Sequence, residues 1–217
     1  MRDDVIQRQL SDAIVRGDVE TAEAKAKILA QYAEDPTETL DDLYDAFTAA
    51  ESLHALGEYD EERFAASARA ARASLEVLKS SLIPKQTRFT ARICVGPVSG
   101  GDDVMSSIMA AMLVAAGHQV TDLSRATTPK ELLRNAEQSG AEILIASFDD
   151  QTAAAAKEFV DEFQSGGFSG KFEVIAFVRG PQSTIVEPNS FAFVAYDLMG
   201  LLSRTTELLI KRQGSAR

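Results

Sequence analysis

Two adjacent aspartates, Asp102 and Asp103, stand behind Gly100 and Gly101 in the stretch "GPVSGGDDVMSS", between the strand-like run "ARICVG" and the helix-like run "MSSIMAAMLVAAG". Carboxylates so placed can ligate a cation, relay a proton, or cap the free amides of the helix that follows and complement its dipole. The glycines in front of them, with Ser99, invite a phosphate-cradle reading. "GPVSGG" nevertheless fits neither the dinucleotide fingerprint nor a P-loop, and two neighbouring carboxylates repel a phosphate. A second acidic pair, Asp149-Asp150, follows the apolar run "AEILIASF".

A phospho-acceptor role for Asp149 would need an acidic pair directly after the first strand and a lysine after the fifth. Gly96-Pro97 and "FAFVAYDLMG" supply neither, so an exposed Asp-Asp turn is expected there. The single cysteine, Cys94, lies in an apolar run with no histidine or carboxylate near it in sequence, and reads as core. One cysteine excludes a cysteine-based metal site, and two histidines, His54 and His118, argue against a multi-histidine zinc site. His118 follows Gly117 at a helix-to-strand turn and is expected to be exposed.

The balance of charge narrows the partners. A net charge of −11 and the absence of any basic stripe argue against nucleic acid. No apolar run approaches the ~20 residues of a membrane span. With an acidic, polar start and an unpaired cysteine, a cytoplasmic protein is expected.

The elements that must position these groups fall into two halves. Residues Val5 to Leu82 read as four helices: "VIQRQLSDAIVRGD", stopping at Gly17; "DVETAEAKAKILAQYA"; "DPTETLDDLYDAFTAAESLHALG", opened by Asp35 and Pro36; and "DEERFAASARAARASLEVLKSSL". Short loops between them suggest an antiparallel bundle. After "IPKQT" the strand-like runs "ARICVG", "HQVTDL", "AEILIASF", "FEVIAFV" and "FAFVAY" alternate with helical ones, the signature of an α/β, doubly wound, five-stranded parallel sheet. The expected organisation is a helical bundle over 1–82, a linker over 83–90 and an α/β domain over 91–217. Ligands of such sheets bind at the carboxyl ends of the strands, here Gly96–Asp103, Leu123–Thr127, Ser147–Gln151 and Arg179–Gln182.

The order of these parts resembles the cobalamin-binding corrinoid proteins of methyltransferase systems and their light-sensing relatives. "AIVRGDVETAEAKA", "DPTETLDDLYDAF" and "LGEYDEERFAASARAA" resemble the helical cap of that family. "ARICVGPVSG", "AAMLVAAGHQVTDLS", "AEILIASF" and "FVRGP" resemble its cobalamin-binding domain. The family carries Asp-x-His-x-x-Gly after the first strand, with the histidine on cobalt from below. In this chain Asp103 takes the histidine's place when the preceding strand sets the register, and Asp102 when the following helix does, so the lower histidine bond is expected to be lost. The family's Ser-x-Leu-x-Thr-Thr around the nucleotide tail becomes Ser147-Phe148-Asp149-Asp150-Gln151-Thr152. Its paired glycines after the fourth strand become Arg179-Gly180, which implies a narrowed or differently lined tail slot. Aligned on "LGEYDE", His54 falls at or beside the cap position that holds an aromatic, or in light-sensing members a cobalt-ligating histidine.

The resemblance implies cobalamin or a related tetrapyrrole as cofactor, bound by Ser99, Gly100, Gly101, Asp102, Asp103, Ser147, Asp149, Thr152 and Gly180, with His54 as candidate metal ligand. Three functions remain open: a sensory or regulatory protein acting through protein partners, a ligand-free interaction scaffold, and a methyl-carrying subunit. The regulator comes first, because loss of the lower histidine hampers a methyl carrier more than a switch. Catalytic activity by the chain itself is not expected, and a homodimer is compatible with the sequence.

Overall fold

The computed structural model describes residues 2–32, 36–99, 103–126, 128–149, 153–179 and 191–215. The chain divides into two compact units, Met1–Ile83 and Pro84–Arg217.

The described residues of the first unit form four helices, α1 (Arg2–Arg16), α2 (Val19–Tyr32), α3 (Pro36–Ala55) and α4 (Glu61–Lys79), and no strand. Apolar residues recur three and four apart, so each helix buries one stripe. Leu10, Ala13 and Ile14 are buried on α1; Leu40, Leu43, Phe47 and Ala50 on α3; Ala70, Ala71, Leu75 and Leu78 on α4. Gly17 ends α1 with φ +74°, and a Cβ there would stand 2.6 Å from the Ala66 Cβ on α4. Glycine therefore serves both the turn and the close helix approach. Asp60 caps α4 by accepting the Arg63 N–H at 2.8 Å. The Tyr59 and Ser67 hydroxyls both donate to the Val15 carbonyl, tying α4 and the turn before it to the end of α1.

The second unit is a parallel sheet of β1 (Arg92–Pro97), β2 (Gln119–Asp122), β3 (Ile143–Phe148), β4 (Glu173–Val178) and β5 (Phe193–Ala195), in the order β2-β1-β3-β4-β5. Between and after the strands run α5 (Val104–Ala115), α6 (Pro129–Gln138), α7 (Ala153–Ser165) and α8 (Leu198–Ser215). β1, β3 and β4 are buried along nearly their whole length, as a parallel sheet covered on both faces requires. One face sets Cys94, Leu144, Phe148 and Val174 against Leu132 and Leu133 of α6 and Phe159 of α7. The alternate residues Ile93, Val95, Ile143, Ile145 and Phe177 are buried on the other. Gly96 marks a close approach: a Cβ would lie 2.7 Å from Leu132 Cδ1 and 2.8 Å from the Leu123 carbonyl.

His118 departs from its expected exposure. The segment after Ile83 folds along the α5–β2 turn, with the Lys85 N–H donating to the Ala115 carbonyl and Thr90 Oγ1 to the Gly117 carbonyl. The imidazole is half-buried, its Nδ1 has no hydrogen-bond partner among the described residues, and burial lowers its pKa from the ordinary value near 6.5. The unfolded chain then binds a proton that the folded chain resists, so stability is intact above about pH 6.5 and falls as pH drops below it. His118→Gln should flatten that acid-side slope in urea melts from pH 5 to 8. An unchanged slope would assign the titration to other groups.

Candidate functional site at the carboxyl edge of the sheet

β1 and β3 are neighbours, and the chain leaves β1 towards β2 on one side and β3 towards β4 on the other. That reversal opens the crevice in which doubly wound sheets hold ligands. Val98 continues the ladder past β1 by donating to the Ser147 carbonyl at 2.9 Å, and the Arg179 N–H donates to the Phe148 carbonyl at 2.9 Å. The ends of β1, β3 and β4 are thus held in one row.

Asp103 is the N-cap of α5. Its Oδ1 accepts the Met105 N–H at 3.2 Å, and its Oδ2 accepts the Ser106 N–H at 3.2 Å and the Ser106 hydroxyl at 2.5 Å. Of the roles open to this carboxylate, capping is the one the structure displays. A second partner comes from across the sheet: Arg179 Nη1 lies 3.3 Å from Asp103 Oδ1, while its Nη2 lies 3.8 Å from Asp149 Oδ2. The Arg179 and Asp103 side chains are only 12% and 10% exposed, against 36% for Asp149. Asp149 is therefore charge-paired rather than a freely solvated turn.

The reach of Arg179 matters. β4 is two strands from β1, about 10 Å at the usual spacing, and only a long side chain leaving β4 spans that distance. Beneath its path lies Ser147, registered between Pro97 on β1 and Phe177 on β4. Its hydroxyl is buried and finds no hydrogen-bond partner among the described residues.

Of the expected site residues, Asp103 and Asp149 share Arg179 at this edge, Ser147 lies near the end of β3, and Ser99, exposed, follows β1 by two residues. Gly100, Gly101, Asp102, Thr152 and Gly180 lie outside the described residues, as does Asp150. Arg179, which pairs with both Asp103 and Asp149, enters the sequence reading only as the replacement of a glycine. Cys94 is buried with Sγ 3.0 Å from the Ser139 hydroxyl, and burial pushes its thiol pKa up, which fits a core residue and not a nucleophile.

His54 belongs to the helical unit, near the end of α3. Its Nδ1 is 3.0 Å from the Tyr59 carbonyl, its ring stacks on Phe64 with centroids 4.6 Å apart and planes at 3°, and its Nε2 is 3.5 Å from Glu61 Oε1. A carbonyl only accepts, so Nδ1 carries the proton and Nε2 keeps a lone pair in the neutral ring. Among the described residues no group of three or more His, Cys, Asp and Glu side chains forms a metal site.

No family model matches the sequence, and no curated protein matches it. Solved structures do. The monomethylamine corrinoid protein of Methanosarcina barkeri matches with TM-score 0.74 and 16% identity over 95% of this chain and 98% of that one. A cobalamin-binding protein of Desulfitobacterium hafniense matches with TM-score 0.48 and 17% identity, over 93% and 97% of the two chains. A chain of the methanol:cobalamin methyltransferase complex of Methanosarcina barkeri gives TM-score 0.44 and 22% identity, over 89% and 74%. Over nearly its whole length, then, this chain has the fold of a corrinoid protein, four helices followed by a five-stranded parallel α/β unit.

Proposed function

We propose that this chain is a regulatory protein that binds a corrinoid or related tetrapyrrole without a histidine from the sheet, and that it acts through a protein partner. The observation that carries this reading is the engagement of Asp103. In the register set by β1, the side chain standing for a lower-face histidine is the Asp103 carboxylate, held by three hydrogen bonds and the Arg179 guanidinium; in the other register it is Asp102, also a carboxylate. Such an oxygen is a poor match for cobalt, and the one imidazole of this unit, His118, lies at the opposite edge, before β2. The sheet edge therefore does not fit a histidine-ligated corrinoid. The buried Ser147 hydroxyl does suit a polar group presented by a ligand.

On this reading metal ligation falls to His54. An imidazole whose Nδ1–H is fixed by a backbone carbonyl presents Nε2 in the tautomer that metal-binding histidines use. Stacking on Phe64 holds the ring's orientation, and Glu61, 90% exposed, can swing aside. Net negative charge and the lack of a basic stripe favour a protein as the regulated target. No described helix is long and apolar enough to cross a membrane.

Titration of the protein with aquocobalamin, aquocobinamide, haem and a linear bilin, followed by absorption spectroscopy, tests the reading. At least one metal tetrapyrrole should bind with a shifted spectrum, and His54→Ala should alter that spectrum and weaken binding by roughly tenfold. If none of the four binds, the reading is wrong. A ligand-free interaction protein would then be favoured by the Asp103–Arg179–Asp149 pairing, which closes the crevice with the protein's own charges.

A further inference from the structure

We infer that Arg179 makes the carboxyl edge selective for a tetrapyrrole that lacks a nucleotide appendage, such as a cobinamide-type corrinoid, and turns away a complete cobalamin. The inference rests on the tetrapyrrole-binding reading above and names the ligand class within it.

The argument begins with dimensions. Neighbouring strands are about 4.8 Å apart, far less than the width of a tetrapyrrole ring, so a ring at this edge lies across the strand ends and only a slender appendage enters between them. The place of entry is the crevice between β1 and β3, where the strand order reverses. Here that crevice is crossed by the Arg179 side chain, which leaves the end of β4, passes β3 and reaches Asp103 at the head of α5. Its second nitrogen leans towards Asp149 on the loop after β3. An appendage entering between β1 and β3 has to displace the guanidinium, and the nearly buried Asp103 carboxylate is then left with its amide and hydroxyl donors but no counter-charge. The buried Ser147 hydroxyl under the same path shows that the space is polar and that no described side chain satisfies it. A bare ring makes no such demand, because it needs only the surface above the closed pair.

The experiment compares aquocobalamin with aquocobinamide, the same ring without the nucleotide, by absorption titration and calorimetry on the full chain. Three proteins are used: the wild type, Arg179→Gly, and the double variant Asp103→Asn with Arg179→Gly. The double variant removes both charges while asparagine keeps the helix cap, so an unfolded single variant does not end the test; far-ultraviolet circular dichroism reports the fold of each. The wild type should prefer cobinamide by roughly a hundredfold, the scale expected when binding breaks a buried charge pair, and the folded variants should reduce the preference to within about threefold. Equal wild-type affinities overturn the inference and leave the tetrapyrrole reading standing. So does a preference that persists undiminished in the folded variants, or binding of haem but of neither corrinoid. Failure of both corrinoids, haem and the linear bilin to bind any of the three proteins overturns the reading and the inference together, and binding of the bilin alone overturns the inference.

Discussion

Replacing Phe148 with alanine should destabilise the sheet unit by about 4 kcal/mol, the largest effect expected of a single side-chain truncation here. Phe148 ends β3 with its ring fully buried. It meets Phe159 edge-on at 5.8 Å and 88°, and Phe191 at 5.7 Å and 64°. Truncation thus removes one large apolar burial and two aromatic contacts that carry energy beyond their area. The surrounding rings are themselves packed, with Phe159 stacked on Phe163 and Phe191, so the cavity cannot collapse cheaply. Urea melts should show a lower midpoint at unchanged slope. A loss under about 1 kcal/mol would mean that the aromatic layer repacks and is not the anchor of the carboxyl edge. The consequence for the site is direct, since Ser147 and Asp149 are the chain neighbours of Phe148 and the Phe148 carbonyl accepts the Arg179 N–H.

The parts legible in the sequence are those governed by local rules. Gly17 as a helix stop, Pro36 at the head of α3 and the apolar runs that became β1, β3 and β4 all follow from near-neighbour chemistry, and the structure has them. The run "FAFVAY" is less regular than its composition suggested. Only Phe193–Ala195 is strand, with the Ala192 N–H donating to the Val174 carbonyl just before it, and β5 is an edge strand that β4 partners on one side alone. The capping role of Asp103 was equally readable, as an acidic residue directly before an apolar helix. What could not be read was its second partner. Arg179 comes to Asp103 only through the parallel order β1-β3-β4, a tertiary fact with no trace in the residues around either side chain. His118 is half-buried beside a turn on which the segment around Lys85 to Thr90 folds back, a segment that sequence marks only as a linker.

Removing Arg179 tests how far that tertiary pairing holds the edge together. Arg179→Ala should cost about 3 kcal/mol, because it leaves a nearly buried Asp103 carboxylate without its counter-charge. The three hydrogen bonds that remain on Asp103 keep the loss from being larger. Asp103→Asn should cost less, about 1 kcal/mol, since asparagine caps a helix about as well as aspartate and Arg179 keeps Asp149 within reach. In the double variant no charge is stranded at Asp103, so its loss should fall short of the sum of the two single losses by about 2 kcal/mol, a coupling that urea melts of the four proteins measure directly. High salt should reduce this coupling only slightly, because both side chains are shielded from water. If Arg179→Ala stays within about 0.5 kcal/mol of the wild type, the guanidinium is not bound to the edge and the crevice is open in solution. The same number bears on ligand choice: a pair that resists breaking by mutation resists displacement by an appendage, and a pair worth nothing to stability cannot exclude one.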